Sequence, residues 1–278
     1  MQNAGIVALG LNWRYLAFEV HPHDLASAIA GAKAMKFVGL NLTVPHKLLA
    51  LEMVDQLDES AKTWGAVNTI LFEAKNRNGS WVSIAQIPGD EIKETRSHGF
   101  NTDADAITQS IREDLKMDIR GARILLLGAG GAGRVAALKF AAEGARELFL
   151  VNRTQIKAEQ LADEIRRRFP NVSIATSHPR SEVDLVVNAT SLGLKSSDTM
   201  PLSEFDFSLQ KTKAVYDMIY RPAETPLLIA AKKAGCRTAN GIGMLLYQGA
   251  KALEIWSEKS APIETMRRAL EQNVYQKQ

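Results

Sequence analysis

The sequence predicts an α/β protein in two blocks, the second of them a doubly wound parallel sheet. Three observations carry that expectation. Short apolar runs alternate with amphipathic or Ala-rich stretches along almost the whole chain, the order expected of βαβ units. One apolar run, "ARILLLG", leads straight into "GAGGAGRVAALKF", a glycine-rich turn that opens a helix. The composition, 46% hydrophobic and 23% charged over 278 residues, is that of a globular chain long enough for two domains.

In the first block, "AGIVALGLN" is expected to form a helix and "WRYLAFEV" a strand, "HDLASAIAGAKAM" a helix and "FVGLNLT" a strand. "PHKLLALEMVDQLDESAKTW" carries a helical apolar period, with Pro45 suited to a first turn. "AVNTILFEA" is the next strand. The polar stretch "KNRNGSWVSIAQIPGDEIKETRSHGFNTD" has the look of an extended hairpin excursion. Alternation of this kind predicts a mostly parallel sheet. A helix, "DADAITQSIREDLKM", then leads into strands at "ARILLLG", "ELFLVNR", "VSIAT", "VDLVVNAT", "KAVYDMIY" and "RTAN". Helices are expected at "GAGRVAALKFAAEGA", "QIKAEQLADEIRRRF" and "TPLLIAAKKAG", and two more close the chain, "GMLLYQGAKALEIWSEK" and "APIETMRRALEQNVYQ". The boundary falls near Asp103.

Charge and cysteine usage narrow the function classes. A net charge of +3 is too small to imply nucleic acid, and "RRR" at Arg166–Arg168 lies in an amphipathic helix as a solvated face. The one cysteine, Cys236, excludes an intramolecular disulfide and fits a reducing cytoplasm. No apolar run approaches the ~18 residues that span a bilayer. The start, "MQNAGIVALGLNWRY", has no basic n-region and no cleavage site, so no signal peptide is expected.

Gly128, Gly130 and Gly133 stand in G-x-G-x-x-G spacing between a strand and a helix, the context that gives the motif meaning. Gly128 permits the tight turn, Gly130 lets the backbone approach a pyrophosphate, and Gly133 lets helix and strand close up. The helix N-terminus offers free N–H groups to the phosphates. The second strand of the unit ends in Asn152, Arg153 and Thr154, without the carboxylate that would hold a ribose 2′-hydroxyl. Arginine binds a 2′-phosphate as a fork, so NADP is expected over NAD; the alternative is that Arg153 merely starts the next helix.

Reduction of a carbonyl by hydride also needs a proton donor. His21 and His23 sit in "VHPH", a turn and helix start; His98 and His178 are expected in solvent, and His46 at a helix start. Lys47 stands out beside two other positions. Asn68 lies in an apolar strand, where burial would demand a partner, and Asp103 closes the hairpin. Asp103 could be only a helix cap. If the strand ends bring Lys47, Asn68 and Asp103 together, the lysine gains a carboxylate that orients it.

"NLTVPHK", "GAVNT", "GFNTD", "GAGGAG", "NRT", "NATSLGL", "YDMIYRPAETPLL" and "NGIGMLLYQGA" occur in that order. Together they resemble the shikimate dehydrogenase family, which includes shikimate/quinate enzymes, from Met1 to about Ala250. The resemblance implies NADP-dependent interconversion of 3-dehydroshikimate and shikimate, in the pathway to chorismate and the aromatic amino acids. It implies an α/β substrate domain over 1–103 plus 239–278 and a Rossmann-type NADP domain over 104–238, the active site in the cleft between them and the C-terminal helices returning to the substrate domain. By match of motif it implies Lys47 and Asp103 as the catalytic pair, and Thr43, Asn68, Tyr220 and Gln248 as substrate-binding positions. It places the cofactor on Gly128, Ala129, Gly130, Gly131, Ala132 and Gly133, the 2′-phosphate on Asn152, Arg153 and Thr154, Thr190 and Ser191 after a strand beside the cofactor, and the nicotinamide against Gly241 and Met244. No metal, nucleic acid or membrane is expected, and the chain is a monomer or homodimer.

Two departures from the family pattern matter. Members usually begin with a strand and an S-x-S-P segment whose hydroxyls hold the substrate carboxylate, whereas "MQNAG" starts where that segment should have ended, with Gln2 where His is usual. Weak shikimate binding is the expectation from this. The stretch from Lys75 to His98 is longer than the usual hairpin, and "NTDADA" lacks the glycine common after the Asp. Other readings are the same chemistry on quinate, with NAD permitted, and a weakly active or inactive NADP-binding protein.

Overall fold

The computed structural model describes residues 1–195, 197–203 and 206–275. The chain divides into two compact units: Met1–Asp103 with Gln248–Leu270, and Ala104–Tyr247 with the chain from Glu271 onward.

The first unit runs α1 (Gln2–Ala8), α2 (Leu25–Ala34), β1 (Gly39–Asn41), α3 (His46–Leu49), β2 (Gln56–Leu57), α4 (Glu59–Trp64), β3 (Thr69–Lys75), β4 (Trp81–Ser83) and β5 (Thr95–Phe100). The sheet follows the path β1-β3-β5-β2, with β4 added on β3. β3 is antiparallel to β1, β4 and β5, and the parallel pair is β2 with β5. The expectation of a mostly parallel sheet fails here. Part of the reason is hairpin chemistry: the Asn76 side chain accepts from the amides of Asn78 and Ser80, turning the chain at "NRNG" and laying β4 back along β3.

Two further expectations are corrected. The stretch "WRYLAFEV" joins no ladder; the Asn3 carboxamide takes both the amide and the carbonyl of Tyr15, at 2.8 and 2.9 Å. The single helix expected from Pro45 to Trp64 is broken into α3, a 3₁₀ turn, β2 and α4. Asp55 accepts from the Ser97 amide and hydroxyl, anchoring the chain to β5. Asp58 then caps α4 by accepting from Ser60 N at 2.8 Å, which starts a new helix.

Alternation along β3 sends Ile70 and Phe72 into a core with Leu25, Ile29 and Ala61. Leu71 faces the other way, against Ala252 and Trp256 of the same unit. The Trp256 indole donates to Ile70 O at 2.9 Å. A methyl group on Gly39 would overlap both the Trp256 ring nitrogen and that carbonyl. Gly39→Ala is therefore expected to destabilise this unit by about 3 kcal/mol in a denaturant titration. Gly31→Ala, in α2 with open space around it, is expected to raise stability by about 0.5–1 kcal/mol in the same titration.

The second unit opens with α5 (Asp103–Leu115), whose first residue belongs to the first unit. It continues through β6 (Arg123–Leu127), α6 (Gly131–Ala142), β7 (Glu147–Val151), α7 (Gln155–Arg168), β8 (Ser173–Ala175), β9 (Val183–Asn188), β10 (Thr212–Asp217), α8 (Pro226–Lys233) and β11 (Arg237–Asn240). The strand order is β11-β10-β9-β6-β7-β8, with every neighbouring pair parallel. Counted from β6, that is 3-2-1-4-5-6, the doubly wound dinucleotide order. Leu125, Leu126, Val186, Val187 and Val215 are fully buried, as strands covered on both faces require. The chain ends in α9 (Ile242–Ser257) and α10 (Ile263–Tyr275), and the unit limits fall inside both. Gln276, expected at the end of the last helix, lies outside the described residues.

Candidate active site

In the first unit the antiparallel pairing gathers three chain segments at one end of the sheet. Asn41, the last residue of β1, faces Thr69, the first of β3, and Thr69 faces Phe100, the last of β5. The chain leaving β1 carries Thr43 and Lys47, the chain entering β3 carries Asn68, and the chain leaving β5 carries Thr102 and Asp103. In an all-parallel sheet the chain entering β3, with Asn68, would lie at the opposite end from the chains leaving β1 and β5.

Lys47 Nζ donates to Asp103 Oδ2 at 2.9 Å. The Lys47 backbone is fixed as well, its carbonyl accepting from Val67 N at 2.9 Å. Asp103 is 8% exposed, and its amide donates to Asn101 Oδ1 at 3.1 Å. Asn101 Nδ2 in turn holds Ala66 O, so the strand end, the helix start and the carboxylate are tied into one piece. Asp103 is the first residue of α5 and also the partner of Lys47, which exceeds a capping role.

Asn68 is buried, and its side chain is ordered by Thr102: Oδ1 accepts the Thr102 amide at 2.8 Å and Nδ2 donates to Thr102 Oγ1 at 3.0 Å. The network extends through Thr69 Oγ1 to Asn41 Nδ2 (3.0 Å), and Tyr15 donates its hydroxyl to Asn41 Oδ1 at 3.0 Å. Burial pushes the Tyr15 phenol above its ordinary value. Thr102, Asn41 and Tyr15 were not singled out by sequence. "NTD" and "GLN" contained the first two, but only the register of β1, β3 and β5 puts them beside Asn68. Thr43 is exposed, its carbonyl accepting from His46 N, and Gln248 is partly buried in this unit. His46 turns its Nε2 to Val20 O at 3.0 Å. His98 is not solvated as expected: it lies against Phe100, with Nδ1 3.5 Å from the Glu73 carboxylate.

In the second unit the glycine turn has the shape its spacing predicts. Gly128 sits at φ +106°, and a Cβ there would come within 2.9 Å of Ala189 O. A Cβ on Gly133 would overlap the Gly128 carbonyl oxygen, so no other residue lets α6 approach the end of β6 this closely. Gly130 and Gly131, by contrast, open on empty space at the N-terminus of the 12-residue α6. That cradle fits a pyrophosphate. Asn152 closes it from β7, its Oδ1 accepting from Ala129 N at 3.0 Å and its Nδ2 donating to Thr154 O at 2.8 Å. Arg153 projects beside it, exposed.

A cavity of about 490 Å³ lies within this unit, with Ala132, Thr190, Met218, Tyr220 and Leu245 in its wall. Ser191 is exposed and Tyr220 is 38% exposed. A Cβ on Gly241 would overlap Met218 O, so the chain entering α9 lies against the end of β10. The Met244 amide faces the buried Tyr216 hydroxyl. Among the described residues, no group of three or more His, Cys, Asp and Glu could hold a metal, and no helix is long and apolar enough to cross a membrane.

A parallel sheet in dinucleotide order with an open glycine cradle, together with a separate unit bearing a half-buried Lys–Asp pair, defines a nucleotide-dependent oxidoreductase of the Rossmann class. Three family models match: the shikimate dehydrogenase substrate binding domain over residues 1–70, shikimate/quinate 5-dehydrogenase over 109–196, and the shikimate 5′-dehydrogenase C-terminal domain over 241–271. The chain belongs to the shikimate dehydrogenase family. It is similar to the shikimate dehydrogenase (NADP+) of Methanopyrus kandleri, 38% identical over 97% of this chain and 89% of that one. Among solved structures it is similar to a shikimate dehydrogenase in complex with NADP+, with a TM-score of 0.82 and 33% identity over 99% of this chain and 90% of the other. It is also similar to the ligand-free 5-ketofructose reductase of Gluconobacter sp., with a TM-score of 0.79 and 33% identity over 98% and 92%.

Proposed function

We propose that the chain interconverts 3-dehydroshikimate and shikimate with NADP. The unit Met1–Asp103 with Gln248–Leu270 serves the substrate, and the second unit serves the cofactor. The observation that carries this reading is the 2.9 Å pair of Lys47 with Asp103, beside the ordered Asn68–Thr102 couple.

In the reducing direction Lys47 Nζ hydrogen-bonds the substrate carbonyl oxygen, stabilises the charge that develops there and gives up a proton to it. Bound NADPH supplies the hydride for this step, and NADP+ accepts it in reverse. Asp103 holds the amine in place with Oδ2, and its other carboxylate oxygen accepts from a neighbouring hydroxyl of the ring. Asn68 has its acceptor committed to Thr102, which leaves one N–H for the substrate. Thr43, Gln248 and Tyr220 complete the polyol and carboxylate contacts. Ala129, Gly130, Gly131 and Ala132 present the turn to the pyrophosphate, and Arg153 and Thr154, set by Asn152, take the 2′-phosphate. Thr190, Ser191, Gly241 and Met244 hold the nicotinamide end. The single Cys236 supports a reducing, cytoplasmic setting.

Initial rates with shikimate, quinate and 5-ketofructose test the reading. Shikimate with NADP+ is expected to exceed quinate in kcat/KM by about a hundredfold, the scale on which an added or missing polar group is discriminated. Faster turnover of 5-ketofructose with NADPH than of 3-dehydroshikimate would overturn the assignment of substrate.

A further inference from the structure

The ends of β9 and β10 carry a buried polar network that the proposed chemistry does not use. Asn188 and Asp217 are paired in register at the last positions of their strands, and both are fully buried. Asp217 accepts three hydrogen bonds: Asn188 Nδ2 at 3.0 Å and Ile219 N at 3.0 Å on Oδ1, and the hydroxyl of the fully buried Thr225 at 2.7 Å on Oδ2. Asn188 Oδ1 accepts from Thr190 twice, from the amide at 3.0 Å and from Oγ1 at 2.7 Å. Thr190 Oγ1 then receives Leu192 N at 3.1 Å.

A buried carboxylate answered only by neutral donors is a costly group to retain for stability alone. What it holds is specific. Thr190 and Ile219, one on each loop leaving the two strands, both line the 490 Å³ cavity. Their neighbour Tyr220 lines it too, and Gly193, on the Thr190 loop, lies against Thr225 and Ile219, leaving room for no side chain without a shift. Among the described residues, Met218 N to Asn188 O joins the two chain segments, and each is tied elsewhere as well, Ala189 N to Leu127 O and Gly241 N to Ile219 O.

We infer that Asp217, with Asn188 and Thr225, is a positioning residue for the nicotinamide end of the cofactor site: the buried carboxylate joins the two loops and sets the Thr190 hydroxyl and the Ile219 backbone at the cavity wall. The inference rests on the NADP reading of this unit. It predicts a selective defect: the Asn152–Thr154 corner follows β7, one strand further from the network, whereas the glycine turn packs against Ala189 and Thr190 and is shared by both halves of the cofactor.

The test compares NADP+ with 2′,5′-ADP, which carries the adenosine half alone, by calorimetry on wild type, Asp217→Asn, Thr225→Val and Thr225→Ser. Asp217→Asn and Thr225→Val are expected to weaken NADP+ about tenfold, the scale of one lost buried hydrogen bond, while leaving 2′,5′-ADP within about twofold. Thr225→Ser keeps the hydroxyl and loses the methyl group, so it is expected to bind NADP+ like wild type. Equal losses for NADP+ and 2′,5′-ADP, no loss at all, or a Thr225→Ser variant as weak as Thr225→Val would overturn the inference. If Asp217→Asn does not fold, the valine and serine variants decide alone. Turnover of shikimate by wild type is measured separately; its absence counts against the proposed reaction, while the binding comparison still decides the role of Asp217.

Discussion

Replacing Lys47 with alanine is expected to lower kcat for shikimate oxidation about a thousandfold, with KM for shikimate changed only a few-fold and NADP+ affinity unchanged. In the proposed reaction the amine both hydrogen-bonds the reacting oxygen and exchanges a proton with it. Its position is set from two sides, by Asp103 on the side chain and by Val67 on the backbone. Lys47→Arg is expected to recover little, because a guanidinium keeps its proton and presents a flat fork where a compact ammonium is needed. Asp103→Asn keeps the shape and loses the charge, for a loss of about a hundredfold in kcat. Steady-state kinetics read the split. A Lys47→Ala enzyme with normal kcat and a raised KM would make the lysine a binding group only.

The second large effect is on cofactor choice. Arg153→Asp is expected to raise KM for NADP+ about a hundredfold, while NAD+ turnover is unchanged or improved. β7 ends at Val151, and the residues after it bring an amide, a guanidinium and a hydroxyl to the corner where a carboxylate would repel a 2′-phosphate. Asn152 is already committed to Ala129 N and Thr154 O, so it shapes the corner and leaves the charge to Arg153. Rates at saturating shikimate with both cofactors measure the shift; an Arg153→Asp enzyme with unchanged KM for NADP+ would reduce Arg153 to a helix-start residue.

The parts of this molecule that were legible in the sequence are those governed by local sterics. Gly128 and Gly133 announce the turn because a Cβ on Gly133 would strike the Gly128 carbonyl five residues back, and one on Gly128 would crowd the Ala189 backbone after the neighbouring strand β9. Four of the parallel strands, β6, β7, β9 and β10, follow because each is a short, largely buried apolar run set off by a helix or a long loop; the edge strands β8 and β11 are partly exposed. The first unit was harder. "LLALEMV" has a helical period, yet Asp55 is claimed by Ser97, 42 residues on, and the helix gives way. "WRYLAFEV" has the alternation of a strand, but its partner is the side chain of Asn3. Lys47 and Asp103 are 56 residues apart, and no local pattern joins them; the order of β1, β3 and β5 does. The residues single them out only conditionally, if strand ends meet; their role as a catalytic pair comes from resemblance to a family. Asp217 in "YDMIY" reads from sequence as one polar residue at the end of an apolar strand; only the β9–β10 register and the return of Thr225 show that three donors converge on it.

The most direct test of the account is the fate of the hydrogen on the carbinol carbon of shikimate. Shikimate deuterated at the carbon that becomes the ketone is incubated with the protein and NADP+, and the reduced cofactor is analysed by mass spectrometry. The account predicts one deuterium in each NADPH formed, at a rate that Lys47→Ala lowers about a thousandfold. NADP+ that binds without acquiring deuterium at any shikimate concentration would contradict it.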